Sequence, residues 1–104
     1  MARSCKYADP DGNLLELRSS LSARARLQYR ETLRGGLDRE DARQRATELL
    51  FELLALRWTI AGAPIDRQRE LLARYRAASP AEREFVRHSL RAHAQEHFPE
   101  LETT

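Results

Sequence analysis

From Leu49 to Ile60 the chain reads LLFELLALRWTI, an apolar stretch broken only by Glu52, Arg57 and Thr59. Its apolar positions cover more than one helical stripe, so the segment needs neighbours on several sides and the core must form around it. Upstream, Asp38 offers an N-cap with Glu40 and Asp41 in the first turn. Ala42, Ala46, Leu49, Leu50, Leu53, Leu54 and Leu56 follow at helical spacing, and Gly62 and Pro64 stop the run. The pattern predicts a central helix over residues 39–61.

The other segments are punctuated in the same way. Leu17, Leu21, Ala25, Tyr29 and Leu33 recur every four residues ahead of Gly35-Gly36, which predicts a helix over 14–34 with Asn13 as a candidate cap. A shorter helix over 66–78 starts from an Asp66 cap, with Leu71, Leu72, Tyr75 and Ala78 turned inward. Ser79-Pro80-Ala81-Glu82 joins an N-cap, a proline at the first helical position and a glutamate at the third. This opens a last helix over 80–98 that carries Phe85, Val86, Leu90, Ala94 and Phe98 and ends at Pro99.

Strand-forming residues are scarce, with one Val and two Ile against sixteen Leu and fifteen Ala. The expected fold is therefore all-α: a small antiparallel bundle of about four helices, forming one helical domain over 1–104. Residues 1–13 are expected as a short turn-rich or hairpin-like arm and residues 99–104 as a tail. In the arm, Asp9-Pro10-Asp11-Gly12-Asn13 has turn chemistry between two pieces that can extend, Cys5–Ala8 and Leu14–Leu17.

Several function classes are removed by composition. No apolar run approaches the roughly 18 residues of a membrane span, so no membrane role is expected. The first residues carry charge without an apolar core segment, so no secretory leader is expected and the cytoplasm is the expected compartment. Cys5 is the single cysteine, which excludes an internal disulfide. Eighteen basic and sixteen acidic residues leave a net charge of +2, too small to impose a polyanionic partner.

Three short patterns touch on chemistry. Asp9-Pro10-Asp11-Gly12-Asn13-Leu14-Leu15-Glu16-Leu17 resembles the last hairpin of the vicinal oxygen chelate family, where a glutamate matching Glu16 ligates a metal. That family needs paired βαβββ modules and ligands from other strands, so the resemblance covers a fragment only. His93-Ala94-Gln95-Glu96-His97 resembles the H-x-x-E-H of inverzincin metalloproteases, in which two histidines one helical turn apart hold zinc and the glutamate acts as base. The resemblance implies a third ligand from downstream; none is in view, and His88 falls about 180° from His97 on a helix. Arg83, Arg87 and Arg91 each precede a histidine at R-x(4–6)-H spacing, which resembles HEPN domains, helical bundles that often act as metal-free ribonucleases. That resemblance implies His93 as acid/base and Arg87 as the group stabilising developing phosphorane charge.

Without a phosphate loop, an activated nucleophile or a complete ligand set, no catalytic residue, metal or cofactor is expected, and no small-molecule substrate is evident. The expectation is a non-enzymatic regulator, adaptor or inhibitor acting through protein–protein contacts with a partner or its own copy. Leu56, Arg57 and Trp58 are the candidate contact residues, because aromatic and arginine side chains dominate interface energetics. The alternative is nucleic-acid binding by two arginine ladders, Arg26, Arg30 and Arg34 on the first helix and Arg83, Arg87 and Arg91 on the last.

Overall fold

The computed structural model describes residues 4–36 and 38–101. Residues 1–3 of the expected arm and 102–104 of the expected tail lie outside the described residues. The elements run β1 (Ser4–Ala8), β2 (Leu14–Arg18), α1 (Ala23–Arg34), α2 (Arg39–Leu54), β3 (Ala55–Ile60), β4 (Ala63–Ile65), α3 (Gln68–Arg76) and α4 (Pro80–His97). A hairpin followed by two helices thus occurs twice in succession.

This overturns the all-α bundle. The four strands form one antiparallel sheet in the order β1-β2-β3-β4, and the fold is α+β. The predicted helix over 14–34 loses its first residues to β2 and starts only at Ala23, after the Ser22 cap. The predicted helix over 39–61 stops at Leu54, and Ala55–Ile60 continues as a strand. The physical reason is that LLFELLALRWTI is two elements in tandem. Its second half carries Trp58, Thr59 and Ile60, residues suited to a pleated surface, and alternates buried Trp58 with exposed Arg57. Apolar residues on several helical stripes were a helix face and a strand face read as one.

Two tight turns build the sheet. Ala61 and Gly62 both adopt positive φ, 51° and 80°, as a two-residue hairpin of the primed type requires. In the first hairpin one Asp9 carboxylate oxygen accepts from the backbone N–H of Asp11 and of Asn13, each at 2.9 Å. Asn13 does not cap a helix. Its side-chain oxygen accepts from the Ala61 N–H at 2.9 Å, tying the two hairpin turns together.

The starts of α2 and α4 are where the sequence indicates. Asp38 caps α2, and Ser79 with Glu82 completes a reciprocal capping box on α4. The helix α3 starts at Gln68 with no side-chain cap, so Asp66 does not take the expected role. One face of the sheet presents Leu15, Leu17 and Trp58 to a core shared with Tyr29, Leu50, Phe51, Leu54, Leu71, Tyr75, Leu90 and Phe98. Leu101 is 6% exposed and packs against the same core. The opposite face carries Lys6, Glu16 and Arg57 in one cross-strand row, and Lys6 and Arg57 are exposed.

Candidate functional site

Strand alternation puts Cys5 and Tyr7 on the same side of the edge strand β1, and helical spacing puts His93 and His97 on one face of α4. The fold brings these two pairs together across almost the whole chain. Cys5 Sγ lies 3.4 Å from His97 Nε2, and the Tyr7 hydroxyl lies 2.7 Å from His93 Nδ1. His93 Nε2 is 2.7 Å from the backbone oxygen of Arg18 at the end of β2. The two imidazoles stand 4.5 Å apart between ring centres, with Phe98 packed edge-on to His93.

These contacts fix the tautomer of His93. A carbonyl oxygen only accepts, so Nε2 carries the hydrogen and donates to Arg18, while Nδ1 keeps the lone pair and accepts from Tyr7. His93 is fully buried, and that burial is the main influence holding its pKa below the usual histidine value. The Arg18 carbonyl and Glu96 oppose the shift, and His97 adds to it. Burial pushes the Tyr7 phenol up to about 12, with Cys5 and Glu96 adding to the shift. At neutral pH the Tyr7 hydroxyl is therefore a donor and His93 a neutral acceptor.

Among the described residues, the Cys5 thiol and one ligand nitrogen from each of His93 and His97 all lie within 4.8 Å of one another. A tetrahedral zinc ion with Zn–S of about 2.3 Å and Zn–N of about 2.0–2.1 Å spaces sulfur and nitrogen ligands about 3.5 Å apart. The Cys5–His97 separation of 3.4 Å already matches that edge. Thiolate and imidazole are also the donors that favour zinc, copper and nickel over calcium or magnesium. The Arg18 carbonyl supplies the outer acceptor that orients most metal-bound histidines.

Comparison with known proteins returns no matching family, no matching curated protein and no matching solved structure.

The other expected site residues are dispersed. Leu56 is half-buried, Arg57 is exposed on the open face of the sheet, and Trp58 is 1% exposed on the core side. Strand alternation turns Arg57 and Trp58 to opposite faces of the sheet. On α1, Arg26 pairs with Glu100 and lies over the Phe98 ring; Arg30 is half-buried and Arg34 exposed. On α4, Arg83 donates to the Arg76 carbonyl and lies over Tyr75, and Arg87 pairs with Glu84 at 2.7 Å. Arg83, Arg87 and Arg91 line a groove of about 260 Å³ that they share with Glu40, Glu48 and Glu84. No residue of the α1 ladder lines it.

Three further positions bear on the sequence resemblances. Glu16 accepts from Ser4 Oγ at 2.7 Å on the face of the sheet away from the histidines. Arg87 projects about 120° round α4 from His93, so the two do not converge on one reacting atom. Exposed His88 stands apart from the cluster. Sequence reasoning found the His93/His97 pair and missed Cys5 and Tyr7, whose inward, alternating placement on a short strand was the one available signal. No helix among the described residues is long and apolar enough to cross a membrane.

Proposed function

We propose that this chain is a small binding domain for a zinc-class divalent cation, held by Cys5, His93 and His97. The observation that carries the reading is the convergence of three soft donors within 4.8 Å, from a strand near one end and a helix near the other. Three protein ligands leave a fourth position for water or for a donor from a partner. Loading converts the Cys5 thiol to a thiolate, so binding releases a proton and strengthens as pH rises.

The test is titration of the full chain with Co²⁺ and Zn²⁺. One equivalent of Co²⁺ is expected to give the visible absorption of a tetrahedral thiolate site, and Zn²⁺ to bleach it. Because Cys5 is the single cysteine, its alkylation by iodoacetamide reports on the site without ambiguity, and zinc is expected to slow it. Cys5→Ser and His97→Ala should each abolish the cobalt spectrum. Binding that survives Cys5→Ser unchanged would reject the reading.

Protein docking is a second reading, favoured by the uncovered face of the sheet. Lys6 and Arg57 flank Glu16 there, beside partly exposed Leu14, around a shallow depression of about 60 Å³. This row suits a partner that presents acidic groups to Lys6 and Arg57. The arginine ladders give the nucleic-acid alternative less support, because Arg26, Arg83 and Arg87 are held by carboxylates, a carbonyl and aromatic rings.

A further inference from the structure

We propose that Tyr7 is a latch on this site: its hydroxyl occupies the lone pair through which His93 would ligate, and a cation enters only by displacing it. The inference rests on the metal-binding reading and adds a means of controlling it. With His93 Nε2 committed to the Arg18 carbonyl at 2.7 Å, Nδ1 holds the ring's one available lone pair. The Tyr7 hydroxyl closes that lone pair at 2.7 Å, and its ring meets the imidazole edge-on at 88° with centres 5.6 Å apart.

Loading is then an exchange at one nitrogen. The Tyr7 O–H···Nδ1 hydrogen bond breaks and a metal–Nδ1 bond forms. Tyr7 keeps its proton, and the one proton released comes from the Cys5 thiol. Tyr7 can make this move because it is half-buried on an edge strand, so a small displacement lets water take over as its hydrogen-bond partner. His93 needs no such freedom, since the Arg18 hydrogen bond holds its ring in the orientation that a metal-bound imidazole requires. Cys5 and Tyr7 share β1, so displacement of the hydroxyl and capture by the thiol act on the same five-residue strand.

A latch and a ligand predict opposite effects of removing the hydroxyl. Tyr7→Phe keeps the ring and removes a competitor worth one neutral hydrogen bond. Zinc affinity, measured on the full chain by chelator competition, is therefore expected to rise about 2–10-fold, with faster loading. Nitrogen NMR of the native protein is expected to show His93 as the Nε2–H tautomer, and zinc to shift its Nδ1 resonance. Weaker binding by Tyr7→Phe would overturn the latch and make the phenol a ligand. Unchanged affinity and loading rate would overturn it too, leaving the metal site standing. Failure of native protein, Tyr7→Phe and Cys5→Ser alike to bind zinc would remove the metal-binding reading and the latch with it.

Discussion

His93 is a fully buried polar residue with both ring nitrogens satisfied, and it is costly to remove for that reason. Truncation leaves the Tyr7 hydroxyl and the Arg18 carbonyl facing a void. His93→Ala is therefore expected to lower stability by about 3 kcal/mol in urea unfolding, whereas exposed His88→Ala should change it by less than about 0.5 kcal/mol. Equal effects would mean that the polar chain from Tyr7 through His93 to Arg18 is not formed. Ala61 offers the opposite case. It holds φ at 51° in an exposed turn, a conformation that disfavours a β-carbon. Ala61→Asn places the residue preferred at the first position of this turn ahead of Gly62, and is expected to stabilise by about 0.5–1 kcal/mol. A lower melting temperature in that variant would contradict the turn assignment.

At the scale of elements, the helices were legible wherever local chemistry suffices. Ser79, Pro80 and Glu82 set the start of α4 to the residue, because a capping box and a first-turn proline act through neighbouring backbone groups alone. The first hairpin was legible from the Asp9–Asn13 turn between Cys5–Ala8 and Leu14–Leu17. The choice of strand over helix from Leu14, and all of β3 and β4, were not, because partners distant in sequence decide them. Leu14–Arg18 has no β-branched residue, and its strand form comes from pairing with β1 on one side and β3 on the other. The turn that would have announced β3 and β4 is Ala61-Gly62, which lacks the asparagine or aspartate that usually marks it.

The capping box also carries an acid sensitivity. Glu82 is held below the usual carboxylate range, first by its hydrogen bond from Arg74 and then by the Ser79 backbone N–H. A carboxylate whose pKa is depressed by folding contributes stability that is complete above its unfolded value near 4.5 and disappears as pH falls through the folded value. Glu82→Gln should accordingly flatten the stability profile below about pH 4.5 while lowering stability at pH 7. Ser79→Ala should cost about 1 kcal/mol at both ends of the range. A Glu82→Gln profile parallel to the native one down to pH 3 would show that another group governs acid unfolding.

The whole molecule explains why half of the candidate site was readable and half was not. His93 and His97 are one helical turn apart, so their shared face follows from sequence spacing. Cys5 stands 92 positions before His97, and only the packing of β1 against α4 makes them neighbours. A third donor beside the pair comes from upstream, where the sheet places the Cys5 thiol. A metal at this site would staple the strand near one end of the chain to the helix near the other. Any ligand bound only by the folded state stabilises by mass action, about 2.7 kcal/mol at a hundredfold excess over Kd. For a domain of this size that corresponds to a rise in Tm of roughly 10–20 °C, reversed by a chelator. Cys5→Ser should fold, keep the unliganded Tm to within a few degrees and lose the zinc-dependent rise. A rise of the same size in Cys5→Ser would place the zinc elsewhere on the protein, and no rise in the native chain would deny that the metal joins the two ends.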